Sequence, residues 1–164
     1  MVSVNRMMYL GSKPVVKAYS RVMLDMDVTQ GEGFPAGAKI VAANHPSTTD
    51  PFFVAGILPQ QSFILINDLL FQVPVLGAYL RQSGHIPVCV GSGPAAIQAA
   101  LDRLAEGKTI LIFPEGDLSP AQGGFLPPRT GVARLALASG APVIPVGVHL
   151  QRERIRTIRS TVNG

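Results

Sequence analysis

Residues 39–50 read KIVAANHPSTTD, and residues 109–117 read TILIFPEGD. In each, a short apolar run stops at a cluster of polar, chemistry-bearing residues. Further runs of the same kind are FILI at 63–66, IPVCV at 86–90 and VIPVGV at 143–148. Between the runs lie helical patterns at 51–58, 68–82, 93–106 and 130–139, with Gly107 and Gly140 placed as C-terminal stops. Short apolar strands alternating with longer helices predict an α/β fold, a mostly parallel sheet flanked by helices. The GEGFPAG stretch at 31–37 reads as a turn leading into that sheet.

A chain of 164 residues is one domain's worth against a prior of roughly 150 residues per domain. It is long enough to bury a core without staples. Its single cysteine, Cys89, cannot close an internal disulfide or fill a cysteine-rich zinc site, which points to a reducing, cytoplasmic setting. Apolar residues make up 47% and charged residues 15%, against an ordinary charged share of about 25%, so disorder is excluded and an unusually greasy surface is expected.

The net charge of +4 is not spread evenly. Residues 1–27 are net +2, the last fifteen are net +3, and the span 28–149 is net −1. The basic residues form no single stripe and no aromatics interleave with them, so no nucleic-acid partner is expected. In 1–27, Ser12 is a plausible N-cap, and Lys13, Lys17 and Arg21 recur every four residues opposite Val15, Val16, Tyr19, Val22, Met23 and Met26. Such a basic amphipathic helix suits an anionic membrane surface, or it packs its apolar face on the domain. No apolar run approaches the roughly 20 residues of a spanning helix. The organisation expected is a basic amphipathic region at 1–27 and a single domain at 28–164, peripheral on the cytoplasmic face of a membrane.

In open parallel sheets, ligands bind beyond the carboxyl ends of the strands. His45, with Asp50 five positions on, has the parts of a general base and the carboxylate that orients it. The competing reading makes Asp50 only the N-cap of a helix that opens with Pro51.

NHPSTTD at 44–50, FPEG at 113–116 and GAPVIPVGV at 140–148 together resemble the glycerolipid acyltransferase family, whose best-known member class is lysophosphatidate acyltransferase. The resemblance runs over residues 28–148. It implies transfer of a fatty acyl group from acyl-CoA or acyl-carrier protein to a lipid hydroxyl, such as that of 1-acylglycerol-3-phosphate, without an acyl-enzyme and without a cofactor or metal. His45 and Asp50 would be catalytic, and Glu115, Gly116, Ser119 and Arg129 would bind substrate. No GxSxG nucleophile elbow is present, and Cys89 inside its apolar run reads as a small core hydrophobe. Members of the family usually run on for further strands or helices, so the resemblance also implies C-terminal truncation.

Two departures bear on the acceptor. Leu118 and Val90 stand where the family keeps arginines associated with gripping phosphate, a two-pronged contact that neither can make. Asp117 adds a negative charge beside them. Arg129, where the family often has lysine, is the remaining candidate cation, and a phosphate-free acceptor becomes credible. Two rival classes stay open. GSGPAA, through Gly91, Gly93 and Ala96, fits a dinucleotide-binding loop of an oxidoreductase, although Pro94 removes an N–H from the turn. A non-catalytic lipid-binding relative is the other. His85 and His149 offer no zinc spacing and read as ordinary loop or strand-end residues.

Overall fold

A computed structural model describes residues 26–89 and 91–150, together with Gly11, Pro14, Val15 and Ala18. Lys13, Lys17, Arg21, Val90 and the C-terminal arginines, and with them the amphipathic-helix reading of 1–27, lie outside the described residues.

Five strands form one parallel sheet in the order β3-β2-β4-β1-β5. They are β1 (Lys39–Ala43), β2 (Ser62–Asn67), β3 (Ile86–Val88), β4 (Thr109–Ile112) and β5 (Val143–Val146). The helices are α1 (Asp50–Ile57), α2 (Leu76–Gln82), α3 (Gly93–Ala105) and α4 (Gly131–Ser139). Lys39 pairs with Thr109 and Ile40 with Val143, so β1 sits between β4 and β5. The two-residue period of the strands explains why both faces are apolar. Ile40, Phe63, Ile110 and Ile112 face Ala96, Ala100 and Leu104 of α3 and Leu135 of α4. Val41, Ala43, Ile64, Leu111 and Phe113 cluster instead with Val54 of α1 and with Leu58.

This division of helices follows from the direction of travel. The chain moves one way along the sheet from β1 to β2 and the opposite way from β3 to β4 and from β4 to β5. Parallel crossovers share one hand, so reversing direction puts the connecting helix on the other face. The loops leaving β1 and β4, neighbours in the sheet, therefore diverge to opposite faces and open a crevice at their carboxyl ends.

Three sequence expectations are corrected. The helix expected over 68–82 is broken into a 3-10 turn at Asp68–Gln72 and α2, because Pro74 cannot continue the hydrogen-bond ladder and the chain turns at Val75. Strand β3 ends at Val88, and Cys89 is exposed rather than a core hydrophobe. The N-cap of α1 is Thr49, without a side-chain cap, while Asp50 is the first helical residue and turns its carboxylate back toward the loop. Gly140 does stop α4, at φ 65°, and Gly107 follows α3 at φ 74°.

Candidate active site

The β1 loop carries the first half of the site. His45 Nδ1 lies 3.2 Å from Asp50 Oδ2, and the same oxygen accepts the Ser47 N–H at 2.6 Å. Asp50 is 1% exposed, so this carboxylate is held out of water against two donors. A carboxylate only accepts, so Nδ1 carries the proton that points at it, and in the neutral imidazole Nε2 is the nitrogen with the lone pair. The imidazole is fixed from the side as well, stacked on Phe113 with ring centroids 4.4 Å apart. The loop itself is anchored by Asn44, whose amide donates to Val148 O at 2.8 Å and accepts from Val148 N–H at 2.6 Å.

The β4 loop supplies the second half. Glu115, 6% exposed, accepts from His45 N–H (3.2 Å) and the Ser119 hydroxyl (2.6 Å) on Oε1, and from Leu126 N–H (2.7 Å) on Oε2. Burial alone would raise its pKa. The hydrogen bonds from Ser119, Leu126 and His45, with the His45 ring nearby, outweigh that and hold it below the ordinary carboxylate range. Ser119 closes the link from the other direction, its N–H donating to His45 O at 2.9 Å. Glu115 thus ties the His45 loop to Leu126 of its own loop, and Ser119 meets the His45 backbone with both its N–H and its Oγ.

Gly116 and Arg129 meet directly. Gly116 has φ 67°, a left-handed conformation natural to glycine, and a Cβ built there would lie 2.6 Å from Arg129 Nε. The guanidinium is laid over the glycine backbone, while Arg129 N–H donates to Pro114 O at 2.8 Å. Among the described residues, Arg129 has no carboxylate within ion-pair distance. Leu118 is exposed and Asp117 caps its N–H.

The structure thus places His45, Asp50, Glu115, Ser119, Gly116 and Arg129 on the two loops that leave β1 and β4 at one end of the sheet. The Phe113 stack, the Ser47 N–H and the Asn44 anchor were not singled out from sequence; only the strand alternation, which puts Phe113 on the face of Leu111, could have suggested the first. The Gly91–Ala96 segment lies elsewhere, after the edge strand β3, with Pro94 in the first turn of α3. A groove between α3 and α4, lined by Pro94, Ile97, Gln98, Arg134, Leu137 and Ala138, contains none of these site residues. No group of side chains suited to a metal occurs among the described residues.

A family model described as Acyltransferase matches residues 25–149. The chain belongs to that family, the glycerolipid acyltransferases that its motifs resemble. It is 29% identical over 144 residues to a 1-acyl-sn-glycerol-3-phosphate acyltransferase of Limnanthes alba, covering 81% of this chain and 51% of the relative. It is 29% identical over 132 residues to the protein of that name from Bacillus subtilis (79% and 60%), and 31% over 130 residues to that from Saccharomyces cerevisiae (76% and 43%). The chain spans about half the length of these curated relatives. No solved structure matches it.

Proposed function

We propose that the protein transfers a fatty acyl group from acyl-CoA or acyl-carrier protein to the hydroxyl of a lysophospholipid of the 1-acylglycerol-3-phosphate kind. The observation that carries this reading is the His45–Asp50 pair, buried on its carboxylate side and open at the crevice. Nε2 of His45 takes the proton of the acceptor hydroxyl as its oxygen attacks the thioester carbonyl. The tetrahedral intermediate collapses by breaking the carbon–sulfur bond, and the imidazolium returns its proton to the departing thiolate. An ester and a free thiol result, with no acyl-enzyme and no redox change. Asp50 keeps the tautomer and steadies the imidazolium while it exists.

Glu115 and Ser119 are positioning residues in this scheme, because their oxygens are taken up in joining the His45 backbone to the β4 loop. Two backbone N–H groups, on two different loops, each meet a different oxygen of Glu115; only a carboxylate offers two acceptors so placed. Arg129 grips the acceptor's phosphate, presented by Gly116, in place of the arginines that Leu118 and Val90 replace. Acyl donor and acceptor are co-substrates, and the membrane surface is where the acceptor is met.

The test is release of free thiol from acyl-CoA across a panel of lysolipids with and without a headgroup phosphate. Release that requires a lysolipid and falls about 100-fold or more in His45→Ala supports the reading. Lipid binding without thiol release would instead make the chain a non-catalytic relative.

A further inference from the structure

Large apolar side chains are exposed unevenly. Of the eleven exposed among the described residues, six lie in two loops: Leu69, Leu70, Val73 and Val75 after β2, and Leu118 and Phe125 after β4. β2 and β4 are neighbours in a parallel sheet, so both loops leave from the same edge as His45. The loops feeding β2 and β4 at the opposite edge, Pro59–Gln61 and Glu106–Lys108, expose none.

Nor is the exposure of the first loop the result of slack. Phe71, 8% exposed, plugs it into the domain, its carbonyl takes the Arg81 guanidinium, and Gly77 packs so close to that carbonyl that a Cβ there would overlap it. Asn67 Oδ1 caps the turn by accepting from Leu69 N–H at 3.0 Å. Beyond Pro74 the chain makes a γ-turn centred on Val75, closed by Leu76 N–H to Pro74 O at 2.7 Å. Val75 sits at φ 65° and ψ −57°, a strained conformation for a β-branched residue, and is 84% exposed. Strain of this kind persists where the surrounding structure enforces it, and it clusters at functional segments. Here a braced scaffold holds four apolar side chains out into solvent.

We infer that this apolar rim is a lipid-docking face that seats the crevice edge of the sheet on a bilayer, with Leu69, Leu70, Val73 and Val75 as its insertion tip. The choice of a lipid surface as occupant rests on the acyltransferase reading: an acceptor with a long acyl chain reaches His45 from a lipid phase, and the apolar loops border that entry. Charge decides the kind of lipid. The rim sets Asp68 and Asp117 against Arg81 and Arg129 and so carries no excess of positive charge, which leaves docking apolar and without need of anionic lipid. It is thereby distinct from salt-sensitive attraction through the basic residues of 1–27.

The chain has no tryptophan, so a single introduced one reports its own surroundings. Leu69→Trp, at a position 62% exposed, is compared with Leu137→Trp, 87% exposed on α4. Both proteins are mixed with phosphatidylcholine vesicles in high salt, with and without brominated acyl chains. The inference requires Leu69→Trp emission to move to shorter wavelength and to be quenched by the brominated lipid, while Leu137→Trp does neither. A second variant, Val75→Gly, relieves the strained turn, keeps the fold and should weaken vesicle binding about tenfold, the scale of removing one buried aliphatic side chain. Two results overturn the inference: Leu69→Trp responding no more than Leu137→Trp, or Leu69→Trp emission already shifted before lipid is added because a second copy covers the face. Thiol release with a short-chain, monodisperse lysolipid separates the two readings. If wild type acylates nothing the acyltransferase reading fails, and the fluorescence still decides the rim; if Val75→Gly loses activity only on vesicle-borne acceptor, both stand.

Discussion

Replacing Asp50 by asparagine separates the charge of the pair from its geometry. Both the Ser47 N–H and His45 Nδ1 meet the same oxygen, Oδ2, at 2.6 Å and 3.2 Å. An asparagine whose carbonyl oxygen takes that place accepts from both, and the flipped amide is excluded because it would aim N–H donors at the Ser47 N–H. The tautomer of His45 and the turn into α1 therefore survive, and only the negative charge is lost. A hydrogen bond to a charged group exceeds a neutral one by about 1.5 kcal/mol, and the Coulomb attraction of an ion pair about 4 Å apart at an effective dielectric of 20 is about 4 kcal/mol. The imidazolium formed during transfer should lose a stabilisation between those bounds, which lowers kcat about 10- to 1,000-fold. Thermal stability should stay close to wild type. Asp50→Ala also strands the buried Ser47 N–H, at about 1–3 kcal/mol, and should lose both kcat and stability. Steady-state thiol release and thermal unfolding of the three proteins give the answer. If Asp50→Asn turns over within threefold of wild type, and Asp50→Ala is inactive only to the extent that it is unfolded, the carboxylate is an anchor for the loop and the catalytic assignment fails.

Other expectations follow from the same site and from the sheet. Glu115→Gln has one acceptor for two loops, so it should lower kcat well beyond its effect on the KM for acyl-CoA; equal changes in both would point to a substrate contact instead. Gly116→Ala imposes about 1–2 kcal/mol of left-handed strain and pushes the Arg129 guanidinium aside. It should therefore raise the KM for a phosphorylated acceptor as Arg129→Ala does, while both leave a neutral acceptor nearly unchanged; a Gly116→Ala protein with wild-type preference would refute the seating of Arg129. His85 accepts the Ile64 N–H at 3.2 Å, and burial lowers its pKa from 6.5 to about 4. The unfolded chain then binds a proton that the folded one refuses, so the stability it contributes is complete above pH 6.5 and is lost as pH falls toward 4, by about 3 kcal/mol at 1.36 kcal/mol per unit. Urea unfolding of wild type and His85→Gln at pH 7 and pH 4.5 checks this, since the variant should lack that part of the slope.

How much of this was legible in the sequence depends on the range of the forces involved. The strands and most helix ends were, because alternation, proline and glycine act locally: all five apolar runs became strands within two residues of their expected ends, and Gly140 stopped α4. The two-residue losses from β3 and β5 were misread because an apolar run does not say whether a neighbouring strand is there to bury it, and both lie at sheet edges; the break at Pro74 was a local signal that the apolar pattern over 68–82 overrode. The site divides in the same way. The spacing of His45 and Asp50 is local, one turn of chain, and the sequence displayed it; that Asp50 turns back to Ser47 instead of capping α1 was not visible. The contact across 70 positions, Glu115 on the His45 N–H, exists only because β1 and β4 are neighbours, and the one across 13, Gly116 beneath Arg129, only because the long loop after β4 folds back on itself. Strand order is set by the packing of both sheet faces at once, and no local pattern encodes it. The sequence therefore supplied a candidate base and its carboxylate, and the fold supplied the reason they are held: a second loop, arriving from the adjacent strand, whose buried glutamate fastens the first.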